Sequence, residues 1–308
     1  MNEIERIIKN GILKEEFFIP EVQCEYLVES KMKKIWAVEL DLLIEFDRVC
    51  KKNNLRYFLI FGTLLGAVRH QGFVPWDDDI DVAMPRMDYE RLLKLSEEFK
   101  KPYFLQSIFS NDGSCYSFAK LRNSNTSAVT NKFCYESFNQ GIWIDINPLD
   151  SYDLDNAAEK FSYVKSLGVD LGTYMRRRNP NLSEEDRKRV DNYSGRTPME
   201  TYEMIQEICR SEEKDGYPYL GIMVAGYYTY NKQTYLKEWF DDSLSLPFCG
   251  FEFPVPRGYV DVLKTTYGDY MQFPPLNKRG AWHPNEIFDT DNPYTKYLKK
   301  DSNESFNS

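Results

Sequence analysis

The sequence predicts an α+β fold: a mixed β-sheet core flanked by helices, with a helical insertion in its middle. Two observations carry this. Over the first 150 residues, amphipathic helical stretches alternate with short apolar runs of strand type. From Asn156 to about Arg210 the pattern turns helical, with a polar interruption over 179–200.

The elements follow in order. Ile35, Val38, Leu42, Phe46 and Val49 recur at steps of three and four, which predicts a helix over 33–52 that Asn53-Asn54 ends. Arg56 to Phe61 is a short apolar, aromatic strand broken by Gly62, and Thr63 is placed to cap a short helix through Val68. A loop with Gly72 and Pro75 leads to a strand over 79–83 and a second amphipathic helix over 87–99. Strands are expected over 103–108 and 116–121, around the turn Asn111-Asp112-Gly113. Another runs over 141–146 and is closed by Asn147-Pro148. Residues 246–275 are rich in Pro, Gly and aromatics, and the polar end over 299–308 is expected to be disordered.

The 308 residues suffice for a large core, and a net charge of −9 argues against non-specific nucleic-acid binding. The six cysteines show no C-x-x-C spacing, which disfavours a zinc site and suits reduced thiols in a cytoplasmic protein. No signal peptide and no 18-residue apolar span are read, so the expectation is no transmembrane segment, with peripheral membrane attachment left open.

Chemistry concentrates in Gly62 to Asp81. Asp77, Asp78, Asp79 and Asp81 crowd like charges, which implies a cation to neutralise them. The Gly62-Thr63 turn upstream suggests that the cation bridges to a phosphate. Strand alternation would put Asp79 and Asp81 on one face and turn Asp78 away. A calcium loop of EF-hand type is disfavoured, because Val82 and Asp88 stand where Gly and Glu are needed. A phosphatase nucleophile or a glycosyltransferase Asp-x-Asp suits the aspartates but leaves Gly62-Thr63 unexplained. Arg176-Arg177-Arg178 is the one tight basic cluster; it suits a solvated helix end or an anionic acceptor.

Phe61-Gly62-Thr63-Leu64-Leu65-Gly66-Ala67-Val68-Arg69-His70, followed by Gly72 and Pro75-Trp76-Asp77-Asp78-Asp79-Ile80-Asp81, closely resembles the signature of the LicD family. That family contains bacterial phosphocholine transferases and is similar to the fukutin-related proteins. The resemblance continues in Ala119-Lys120-Leu121-Arg122-Asn123, in residues 141–150, in Val255-Pro256-Arg257-Gly258-Tyr259 and in Tyr267-Gly268-Asp269-Tyr270, covering roughly residues 30–285. Asn147 departs from it, since an aromatic residue is frequent there.

The resemblance implies a nucleotidyltransferase-like fold with a catalytic core over 1–150, a variable acceptor-side segment over 151–245 and a segment over 246–298 packing back on the core. It implies that Asp79, Asp81 and Asp145 are catalytic and hold one or two Mg²⁺ (or Mn²⁺) ions. Gly62, Thr63, Arg69, His70, Lys120 and Arg122 become the candidates for holding the donor's phosphates. The implied reaction moves phosphocholine, or a related phospho-alcohol, from CDP-choline or another CDP-alcohol to a hydroxyl of a cell-surface glycan, lipopolysaccharide or teichoic acid precursor. CMP leaves, at the inner face of the membrane. Trp76, Trp143, Tyr116 and Tyr135 are the aromatic candidates for a choline head. Two rivals stand: transfer of the nucleotide itself onto a small-molecule or sugar acceptor, and a non-catalytic, metal-stabilised carbohydrate-binding module.

Overall fold

A computed structural model describes residues 2–193, 196–211, 217–224, 229–280 and 287–299. Apart from Lys299, the expected disordered tail lies outside the described residues. Helix α1 (Glu3–Lys9) and a small hairpin, β1 (Glu21–Gln23) with β2 (Tyr26–Val28), precede the long helix α2 (Ser30–Asn53). Then come β3 (Phe58–Leu59), α3 (Phe61–His70), β4 (Asp81–Pro85), α4 (Arg86–Leu92), β5 (Tyr103–Gln106), β6 (Ala119–Asn123), β7 (Ser127–Val129) and β8 (Trp143–Tyr152). The middle of the chain supplies α5 (Ala157–Tyr174), α6 (Glu184–Asn192) and α7 (Pro198–Ser211), then the short strands β9 (Tyr219–Gly221) and β10 (Thr234–Leu236). A hairpin of β11 (Ser243–Phe248) and β12 (Phe251–Pro256), helix α8 (Tyr259–Tyr267) and β13 (Ile287–Asp289) complete the described chain.

The fold is mixed α+β, as the sequence predicts. One seven-stranded sheet runs in the order β10-β9-β8-β4-β3, with β6 also paired to β8 and β5 to β6. Only β4 and β8 pair in parallel; the other pairs in this sheet are antiparallel. The residues of α2 from Ile35 to Leu43 are all buried, so this helix lies inside, against the sheet. Asn54 ends it in the left-handed conformation (φ 51°), which asparagine tolerates better than most residues.

Several boundaries differ from expectation: α4 ends at Leu92 instead of running to 99, β5 ends at Gln106, and β6 is shifted to Ala119–Asn123. Helix α3 begins at Phe61 with Ile60 at its N-cap, so Thr63 lies inside the first turn and caps nothing. Strand β4 begins at Asp81, because Trp76 to Ile80 is a turn and an irregular approach. Strand β8 runs through Pro148 instead of stopping there. The Asp145 amide donates to the Ile80 carbonyl on the β4 side, so by alternation position 148 addresses the other edge. On that edge β6 pairs only as far as Ile146 and β9 begins at Asp150. The missing proline N–H therefore falls where no neighbouring strand needs it.

Candidate active site

The parallel pairing of β4 and β8 sets Asp81 opposite Asp145, and the antiparallel pairing of β8 and β6 sets Asp145 opposite Lys120. One rung of the sheet thus carries carboxylate, carboxylate and ammonium in line. Lys120 and Asp145 form a buried ion pair. Burial lowers the Lys120 pKa, and Asp145 acts against that shift. Asp145 and Asn147 share a face of β8, and the Asn147 side-chain amide donates to Asp81 at 3.3 Å. Asn147, where the chain departs from the LicD pattern, therefore holds a site carboxylate.

Thr63 lies beneath the same strand. Its hydroxyl oxygen accepts from the Asp81 amide at 2.8 Å, which ties helix α3 to the start of β4. Gly62 is required by close approach: a Cβ there would stand 2.2 Å from a carboxylate oxygen of Asp77. Phe61 adopts a left-handed φ of 49°, an uncommon conformation for a bulky residue, at the turn from β3 into α3.

Asp78 does not turn away. Oxygens of Asp77, Asp78 and Asp79 all lie within 4.8 Å of one another. The alternation argument fails here because these residues precede the strand. The Trp36 indole N–H, from α2, donates to the Asp77 carbonyl at 2.8 Å and anchors this approach.

A carboxylate that sequence reasoning missed completes the cluster. Glu39, one turn along α2 from Trp36, is 2% exposed, and its Oε2 has no hydrogen-bond partner among the described residues. Burial, then Asp79, Asp78, Asp77 and Asp145, push its pKa well up. The signal was present: Glu39 interrupts the apolar, core-facing run of α2. Burial and Asp79 likewise raise Asp77, and burial, Asp79 and Asp145 raise Asp81. Six carboxylates (Glu39, Asp77, Asp78, Asp79, Asp81 and Asp145) thus meet a single buried ammonium, Lys120. An all-oxygen donor set with an orphaned buried carboxylate oxygen fits a hard divalent cation.

Asp77, Asp79 and Asp81 open onto a cleft of about 740 Å³, which Phe61, Gly62, Arg69 and Trp76 also line. Its outer wall is the stretch from Tyr267 to Lys278. Arg69 donates to the Tyr270 carbonyl at 2.8 Å and lies over the rings of Phe273 (4.7 Å) and Trp76 (5.8 Å). Arg279 covers the same pair at 5.6 and 4.8 Å and donates to the Pro274 carbonyl at 2.7 Å. Sequence reasoning did not single out Arg279, which a long chain separation hides.

The remaining candidates lie apart from the cleft lining. His70 accepts from Arg69 Nε at 2.9 Å and stacks on Phe273. Burial and the adjacent guanidinium lower its pKa to about 4, so it is neutral at pH 7. Arg122 is 3% exposed and directs its guanidinium to Gln106, the Gly141 carbonyl (2.7 Å) and the Tyr116 hydroxyl (3.4 Å). Within the basic cluster, Arg176 faces Asp186 at 3.4 Å and Arg177 faces Glu136 at 3.7 Å.

Residues 54–163 match the LicD/FKTN/FKRP nucleotidyltransferase domain. The chain is 26% identical over 266 residues to the lipopolysaccharide cholinephosphotransferase LicD of Haemophilus influenzae, covering 83% of this chain and 99% of that one. Over 60 residues, 20% of this chain, it is 40% identical to uncharacterized proteins of Rickettsia prowazekii and Rickettsia typhi, covering 23% and 19% of them. The Gly-Thr turn, the aspartates and the Lys120–Asp145 rung all fall within residues 54–163, so this segment is a LicD-family domain, in a chain similar over most of its length to a cholinephosphotransferase.

Proposed function

We infer that this enzyme, a phosphotransferase, moves phosphocholine from CDP-choline to a hydroxyl of a cell-surface glycan precursor such as lipopolysaccharide or teichoic acid, and releases CMP. The supporting observation is the likeness to the Haemophilus cholinephosphotransferase, which spans nearly the whole of that protein. The acceptor oxygen bonds to the phosphorus adjoining choline, the phosphoanhydride bond breaks, and CMP leaves with its electrons. Asp79 and Asp81, with Asp77 alongside, would hold Mg²⁺ or Mn²⁺. Such an ion, when bound, offsets charge on the diphosphate and the departing CMP.

The chain's own groups do the rest. The N-terminal turn of α3 presents backbone N–H groups to the diphosphate, and Arg69 and Arg279 face it from the opposite wall. Lys120 holds Asp145 in place and offsets its charge beside Asp81. The acceptor proton passes to a carboxylate of the cluster that the cation does not occupy. No helix among the described residues is long and apolar enough to cross a membrane. We place the reaction at the inner membrane face, where a CDP-linked donor can meet a lipid-linked acceptor.

A donor labelled in both choline and cytidine tests this reading. Choline label on the acceptor and cytidine label in free CMP are expected; cytidine label on the acceptor would overturn it in favour of nucleotidyl transfer. Gly62→Ala tests the geometry. The new methyl displaces the Asp77 carboxylate, and a shift of about 1 Å at reacting groups is worth on the order of 100-fold in rate. Turnover should fall by about that factor while the melting temperature changes little. Wild-type turnover would refute the close packing of Gly62 on Asp77.

A further inference from the structure

A trimethylammonium head has no N–H to donate, so it is held by aromatic faces and by carboxylate charge. The sequence offers Trp76, Trp143, Tyr116 and Tyr135 as faces, and the structure covers each with a cation of the chain itself. Arg279 lies 4.8 Å from the Trp76 centroid and Lys120 4.7 Å from that of Trp143. Lys120 lies 5.1 Å from Tyr116 and Lys299 5.6 Å from Tyr135. A second cation on any of these would meet like charge. Trp76 and Phe273, beneath Arg69 and Arg279, make an anion-attracting wall suited to the diphosphate and unsuited to choline.

The opposite chemistry stands elsewhere on the same cleft. Helix α8 ends at Gly268, whose φ of 72° and ψ of −119° suit glycine, and the following turn brings Asp269 and Tyr270 to the cleft wall. The turn is fastened by Arg69, which donates to the Tyr270 carbonyl, and by the Gln272 amide, which donates to the Asp269 carbonyl at 3.1 Å. Asp269 is exposed, and among the described residues its carboxylate has no ion pair or hydrogen bond. Among them, too, no cation covers the Tyr270 ring. The Tyr-Gly-Asp-Tyr motif therefore supplies what the diphosphate wall lacks: a negative charge beside a cleft-lining aromatic ring that no cation covers among the described residues. We propose that Asp269 and Tyr270 form the subsite that receives the quaternary ammonium head of the donor. This rests on the phosphocholine reading, and it makes Asp269 the residue that selects choline over an uncharged alcohol.

Calorimetric binding of free phosphocholine and of inorganic phosphate, in Mg²⁺, tests the subsite without requiring turnover. Wild type should bind phosphocholine at least tenfold more tightly than phosphate. Asp269→Asn and Tyr270→Leu, both at the cleft surface, should each reduce that ratio about fivefold or more while leaving the phosphate affinity in place. A wild-type ratio near one, or variants that keep the wild-type ratio, would overturn the proposal. If the ratios behave as expected but CDP-choline is not turned over, the transfer reading fails and the head-group subsite stands.

Discussion

Asp79→Asn should melt higher than the wild-type protein in EDTA and yet be inactive. Asp79 is the strongest neighbouring influence on Glu39, Asp77 and Asp81, all of which are also pushed up by burial. A carboxyl whose folded pKa exceeds its unfolded value keeps a proton that the unfolded chain has released. Its contribution is complete below the unfolded pKa, near 4, and is lost as pH rises through the folded value. At pH 7.5 without metal, the wild-type floor therefore carries an electrostatic load that it lacks near pH 4. Removing Asp79 relieves three neighbours together. Relief of about 1–2 kcal/mol would raise the melting temperature by roughly 1.5–3 °C in a chain of this size. The gain should shrink toward pH 4.5, where the wild-type floor takes up protons. Adding millimolar Mg²⁺ or Mn²⁺ reverses the order, because the ion stabilises the wild type by binding only its folded form and the variant loses a ligand. Turnover should fall by roughly 1,000-fold or more, since ligand loss exceeds the 10–100-fold typical of groups that only support ligands. A metal-free variant that melts below wild type, or one that keeps its turnover, would refute this view of the cluster.

What the sequence disclosed follows from the range of the interactions involved. The α2 stripe is a local pattern and stands where periodicity places it, and the turn at Gly62 opens a helix as expected, although Thr63 does not cap it. The register of β4 on β8 is not local, so the family resemblance could propose Asp145 as a partner but could not put Lys120 across from it. Lys120 and Arg122 read from sequence as free cations beside an anionic donor. Tertiary packing instead pairs one with Asp145 and directs the other to Gln106, Gly141 and Tyr116. Asp78 was misplaced because a strand period was extended back over irregular residues that precede the strand. The same limit hides Arg86, a basic residue at the start of α4. It is buried against Asp150 at 2.6 Å and Gln206 at 2.6 Å, joining the sheet to α7.

Lys120→Met should cost stability before it costs donor affinity, and the double variant Lys120→Met/Asp145→Asn should recover most of the loss. The side chains of Lys120 and Asp145 are 7% and 1% exposed, so water cannot take over for a missing partner. Removing one member of a buried ion pair typically costs about 3–5 kcal/mol, because the remaining charge is left desolvated and unmatched. The penalty belongs at the upper end here, since Asp145 would also face Asp81 across the β4–β8 rung with no ammonium to offset either charge. A fall in melting temperature on the order of 10 °C is expected in metal-free buffer. The neutral pair carries no buried charge, and methionine fills the space among Tyr116, Phe118 and Trp143 that the lysine stem occupies. The double-mutant cycle should therefore show strong coupling, with the doubly substituted protein melting within a few degrees of wild type. If Lys120 instead serves mainly to grip the donor's phosphates, Lys120→Met would raise KM for CDP-choline at an unchanged melting temperature, and Asp145→Asn would do nothing to restore it. Those two patterns do not overlap, so thermal unfolding and donor KM measured on the three variants decide between a lysine that holds the carboxylate floor together and one that holds substrate.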